Sequence, residues 1–131
     1  MLRDFARAVY PANERTSRSD APGALAAAPK QRHRQAADEF RQHLLSEPND
    51  PIGHANLAMS LAELKDFAAA TEHAQQAIGL APDVGFGHFV LANVMVKRNR
   101  LQEAKSAIDE AISLDPHVPM YFFLRGLIHG E

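Results

Sequence analysis

An all-α chain of stacked helical hairpins, a solenoid, is what this sequence predicts, and three observations predict it. Pro48, Pro82 and Pro116 recur every 34 residues, in the settings SEPND, LAPDV and LDPHV. The segment 51–84 lies over 85–118 without a gap. Identities fall mostly on apolar or small residues, among them Gly53/Gly87, His54/His88, Leu57/Leu91, Ala58/Ala92, Ala70/Ala104, Ala77/Ala111 and Ile78/Ile112. Apolar residues return at helical spacing, and no segment alternates as a strand would. A fixed period of this length marks supersecondary units that bury their apolar faces by stacking on their neighbours.

Each element has its own signal. Residues 1–30 read as a flexible arm: Leu2, Phe5, Ala6 and Val9 share one helical face for two turns, Pro11 stops it, and Pro22, Gly23 and Pro29 break the rest of the arm. Residues 31–131 form the repeat domain. Gln31–Ser46 is predicted to be one helix through Ala36, Phe40 and Leu44. A first helix then carries Leu57, Ala58, Leu61 and Leu64, with its counterpart carrying Leu91, Val94 and Met95. Breaks fall at Lys65–Asp66 and Asn99–Arg100. Second helices carry Ala70, Ala74, Ala77 and Ile78, then Ala104, Ile108, Ala111 and Ile112, and proline ends each. Alanine on these faces lets antiparallel helices approach closely. Pro119–His129 is a further helix, with nothing after it to cover Met-Tyr-Phe-Phe-Leu.

Composition narrows the function classes. At 131 residues and 46% apolar content the chain can build one core. Fourteen basic residues against 16 acidic ones give a net charge of −2, so there is no basic footprint for nucleic acid. The absence of cysteine excludes disulfides and thiolate metal sites. No apolar run approaches the roughly 20 residues of a membrane span, and the first residues lack a signal-peptide h-region. A cytoplasmic location is the simplest expectation; a periplasmic one, with a leader outside this chain, is also compatible.

Chemical motifs are weak. Gly85-Phe86-Gly87 lacks the preceding strand, the third glycine and the downstream acid of a dinucleotide loop. It reads instead as inter-repeat turn, with Asp83 as the expected cap of the next helix. Seven histidines form no H-E-x-x-H and no i, i+4 pair. His54 and His88 are equivalent by repeat and are expected to pack on the preceding second helix, with His43 near His54 as a two-ligand or pH-sensitive contact. The acids Glu63, Glu72, Glu103, Asp109 and Glu110 do not converge, and no serine sits in a G-x-S-x-G setting. Lys97, Arg98 and Arg100 complement a helix C-terminus, or steer an acidic partner. No catalytic residue, metal site or cofactor is expected.

The repeated residues resemble the tetratricopeptide repeat (TPR). His54, Leu57, Ala58, Leu61, Ala70, Ala74, Ala77 and Pro82 fill its signature positions in one unit. His88, Leu91, Ala92, Met95, Ala104, Ile108, Ala111 and Pro116 fill them in the next. Half a repeat precedes them and a lone first helix comes after, with Phe122 and Gly126 at signature positions and Arg125 where leucine is usual. The resemblance implies a stack whose first helices line a concave groove, and a non-enzymatic role in binding a peptide or helix of a partner protein. The groove positions are Ile52, Ala55, Met59, Ala62 and Glu63, then Phe86, Phe89, Asn93, Val96 and Lys97, then Met120, Phe123 and Leu127. This strip is mostly apolar and surplus to the packing face, as a contact surface would be. TPR domains that hold acidic chaperone tails use groove lysine and asparagine; Ala55 and Met59 stand there instead, which leaves Asn93 and Lys97. Phe86 and Phe89 are therefore expected to be removable anchors. The alternative is that the groove or terminal helix serves homo-oligomerisation, or that the chain is a piece of a longer repeat protein, or that its own arm fills the groove.

Overall fold

The computed structural model describes residues 29–129, which form six helices. They are α1 (Pro29–Ser46), α2 (Pro51–Glu63), α3 (Phe67–Leu80), α4 (Gly85–Lys97), α5 (Leu101–Leu114) and α6 (Pro119–His129). The arm expected over 1–30 lies outside the described residues, except that Pro29 and Lys30 begin α1. Proline is tolerated there because the first helical N–H has no intrahelical acceptor.

The two hairpins, α2–α3 and α4–α5, turn the same way by the same device. The N–H of Asp66 donates to Leu61 O (2.9 Å) and that of Lys65 to Ala62 O (3.0 Å). One repeat later, Arg100 N–H donates to Met95 O (2.8 Å) and Asn99 N–H to Val96 O (2.9 Å). This is the Schellman pattern, and its left-handed residue is Lys65 (φ 68°) or Asn99 (φ 60°). The breaks read from the sequence are these turns.

Helix starts differ. The Asp50 carboxylate accepts the Ile52 N–H at 3.1 Å and caps α2, and Asp66 caps α3 through Ala69 N–H. Asp83 does not cap α4. Val84 is the N-cap and supplies no side-chain bond, while Gly85 is the first helical residue rather than turn. Its N–H donates at 3.3 Å to Asp115, at the end of the next hairpin. A Cβ at Gly85 would lie 2.8 Å from Ala111 O, so this helix start presses on the end of α5 too closely for any side chain.

The core runs between the helix layers. Leu57, Ala58 and Leu61 of α2 and Val90, Ala92 and Val94 of α4 pack with Ala70, Ala74 and Ala77 of α3 and Ala104, Ile108 and Ala111 of α5; all are buried. The close approach that repeated alanine predicts is extended by Gly87, whose Cβ would sit 3.1 Å from Ile78 Cγ1. In α6 the buried residues are Tyr121, Leu124 and Ile128, whereas Phe122 is 41% exposed. The expectation that Phe122 occupies a packed signature position therefore fails. In α2 that face is covered by α3, whose His73 ring stacks on His54 at 5.3 Å, and α6 has no following helix among the described residues. A Cβ added at Gly126 would meet nothing within 4 Å.

Candidate functional site

The groove strip divides by depth. Ala55, Phe86 and Phe89 are 0%, 7% and 4% exposed, and Ala62 is buried as well. Met59, Asn93, Val96 and Met120 are partly exposed. Ile52, Phe123 and Leu127 are exposed, Phe123 by 69% and Leu127 by 57%. Phe89 stacks on Tyr121 of α6 with ring centroids 5.1 Å apart, and on Phe86 at 6.2 Å. Phe86 also lines a small apolar cavity of about 120 Å³ with Ile52, Val84 and Ala77.

Phe86 and Phe89 are thus interior residues that join α4 to its neighbours, and they are not free anchors. Truncating a buried phenylalanine costs about 3–5 kcal/mol. Their double replacement by alanine would unsettle the stack, contrary to the expectation that it would spare the fold. The sequence missed Tyr121, which precedes the residue assigned to the packing position. Burial, and then the Asp115 charge, push its hydroxyl up to about 12. The signal was present in the register: Tyr121 is two residues after Pro119, as Gly53 is after Pro51, and that position faces the previous unit.

The polar end of the strip is already paired. Lys97 Nζ lies 3.0 Å from Glu63 Oε2, and His33 Nε2 lies 3.9 Å from Glu63 Oε1. The other two members of the basic cluster are engaged as well. Arg98 donates to Thr71 Oγ1 at 3.2 Å, and Arg100 lies 3.8 Å from Glu103. Asn93 remains beside the strip, half-buried.

The histidines pair differently from expectation. His43 meets Asp50 at 2.6 Å, not His54. Burial pushes the Asp50 carboxyl up, but the hydrogen bond from His43 and those from the Ile52 and Gly53 N–H groups outweigh it and hold it below its usual value. His54 Nε2 is 2.7 Å from Pro48 O and its Nδ1 is 3.1 Å from His73 Nδ1. With Nε2–H donating to the carbonyl, Nδ1 accepts from the His73 Nδ1–H. The two rings stack at 5.3 Å. His54 therefore packs on the helix after its own, since α3 supplies the ring that covers it. Burial, then the nearby His54, lower the pKa of His73, with Arg41 adding to the effect and Glu72 and Gln76 opposing it. Among the described residues, no group of three or more His, Asp or Glu side chains is placed to hold a metal ion. None of the described helices is long and apolar enough to cross a membrane.

Comparison with known proteins agrees with this geometry. The family model for the tetratricopeptide repeat matches residues 53–84 and 88–118, the two hairpins with their proline ends. No curated protein sequence matches significantly. Among solved structures, the first TPR of Spaghetti (RPAP3) bound to the HSP90 peptide SRMEEVD is similar at a TM-score of 0.69 and 20% identity, over 76% of this chain and 81% of that one. TTC0263, a thermophilic TPR protein of Thermus thermophilus, is similar at 0.71 and 22%, over 81% and 60%. The second TPR domain of human RPAP3, in complex with the HSP70 peptide SGPTIEEVD, is similar at 0.66 and 16%, over 97% and 99%. At such identities these likenesses speak for the fold. Two hairpins matched at the period read from the sequence, in an all-helical stack that superposes on TPR domains, place the chain in the tetratricopeptide repeat family.

Proposed function

We propose that the chain is a non-enzymatic interaction scaffold that takes an apolar segment of a partner protein along its first-helix face. The observation that carries this reading is the exposure of Phe123 and Leu127, one helical turn apart, beside half-buried Met120 and in register with Met59 and Ile52. Phe86, Phe89 and Ala55 occupy the same register in the preceding units and are buried. Fully burying each exposed side chain is worth about 1.5–3 kcal/mol, so a few such contacts reach micromolar affinity. That solved neighbours hold peptides supports the general mode. The acidic tails they hold suit this chain poorly: Ala55 and Met59 offer no charge, and Lys97 is neutralised by Glu63. Asn93 is left as the main polar contact of the strip. A cytoplasmic setting fits this role.

The test uses a photo-crosslinking phenylalanine analogue at position 123 in cells of the source organism. A discrete cross-linked partner is expected, and it should disappear with Leu127→Asp, which leaves helical content unchanged. No cross-link, or one indifferent to Leu127→Asp, would sink the groove. In parallel, titration with SRMEEVD and SGPTIEEVD should show no saturation up to about millimolar peptide; tight binding would overturn the apolar preference.

A second reading has an observation of its own. The open space at Gly126 beside exposed Phe122 would admit a helix of a second copy. Under that reading the cross-link at position 123 is to the chain itself, and sedimentation shows a mass that rises with concentration.

A further inference from the structure

We propose that the cleft between α3 and α5, on the side away from the first-helix face, is the docking site of this chain's own residues 2–9. The cleft has a volume of about 590 Å³ and a floor of Ile78, Leu91, Met95 and Ala107. The two hairpins differ in how this apolar floor is covered. One period earlier, His73 stands where Ala107 stands, and its ring stacks on His54 at 5.3 Å. Leu57 beneath is 1% exposed, whereas its equivalent, Leu91, is only half-buried. The same backbone is thus closed by a ring in one repeat and left open over an apolar floor in the next. Such a floor favours a large apolar side chain from elsewhere.

The rim states the charge of the occupant. Glu103 and Glu110 are exposed on α5 two turns apart and both line the cleft; Glu103 already lies 3.8 Å from Arg100, so Glu110 is the rim acid that most directly calls for a cation. Residues 2–9 match on both counts. Leu2, Phe5, Ala6 and Val9 fall on one face at helical spacing, Arg3 flanks that face, and the segment carries two arginines against the single acid Asp4. Apolar side chains entering the cleft bring Arg3 to the acidic rim. Residues 10–28 provide the tether. Their 19 residues can reach roughly 60 Å at most. Packed helices are about 8–10 Å apart, so the cleft is within reach of Pro29. The cleft shares no lining residue with the first-helix groove.

The absence of native cysteine makes the test direct. In the full chain, Ala6→Cys is combined either with Ser106→Cys on the cleft rim or with Asn93→Cys on the groove side, and disulfide formation is followed by non-reducing electrophoresis and mass spectrometry. An intramolecular disulfide to position 106 is expected to form at least about tenfold faster than one to position 93, as a docked tether raises effective concentration. Adding Ala107→His, which copies the His73 closure, should abolish the difference. So should Glu103→Gln with Glu110→Gln, whose surface positions leave the fold intact. Equal rates, faster reaction at position 93, disulfide-linked dimers as the main product, or indifference to both sets of changes would each overturn the proposal.

Discussion

Ser60 shows how one side chain can disagree with an otherwise consistent repeat. It is 0% exposed, and its hydroxyl has no hydrogen-bond partner among the described residues. The equivalent residue one period later is Val94, also fully buried. An unsatisfied buried hydroxyl costs about 1–3 kcal/mol, so Ser60→Ala should leave the protein as stable or raise its stability by about 1 kcal/mol in urea unfolding. A loss above about 1 kcal/mol would mean that a water or ligand satisfies the hydroxyl. Lys65 is a second local cost. It holds φ at 68°, where its counterpart is asparagine, a residue that tolerates this region better. Lys65→Gly is expected to stabilise by about 0.5–1 kcal/mol, and Asn99→Gly by less. Equal gains at the two sites would show that the turn, not the side chain, sets the strain.

At the scale of elements, periodicity was enough to place α2 to α5, because a 34-residue repeat states each boundary twice. It was also enough to place the turns, though not the chemistry that makes them: Schellman bonds leave no side-chain signature at Lys65. What periodicity left unread was which face of a helix is covered. Phe86 and Phe89 look like surplus apolar residues on a first helix, but Tyr121 comes from the next unit and stacks on Phe89. That contact depends on how far α6 leans on α4, a quantity no single helix encodes. The histidine pair was unread for the same reason, since His54 and His73 sit on different helices of one hairpin. It has a consequence for acid stability. The folded pKa of His73 lies below the unfolded value of 6.5. Below about that pH the unfolded chain takes up a proton that the folded chain resists, so folding weakens as pH falls from 6.5 towards the lowered pKa, and is unaffected by this group above it. The midpoint of thermal unfolding should therefore drop between about pH 7.5 and about pH 5.5, and drop less in His73→Gln. An identical pH slope in that variant would assign the acid sensitivity elsewhere.

At the scale of the whole molecule, the stack is one-dimensional: each hairpin is held by its neighbours, and stability passes along them. Interior helices α2 to α5 are covered on two sides by the layers around them. The last described helix, α6, is fastened through Tyr121, Leu124 and Ile128 and leaves Phe122, Phe123 and Leu127 exposed. The face most suited to a partner is thus on the element with the least internal support, an arrangement in which binding and ordering of α6 are coupled. Native-state hydrogen exchange measures this. Amides in the middle of α6 should exchange at least about tenfold faster than those around Val90 and Val94 of α4, corresponding to a local opening at least about 1.4 kcal/mol easier. Raising the protein concentration discriminates between the two readings of that face. Protection of α6 independent of concentration fits a surface waiting for a different protein, whereas protection that grows with concentration assigns it to a second copy. If α6 were as protected as α4 at every concentration, its apolar face would be covered already, and the groove reading would lose its exposed anchors.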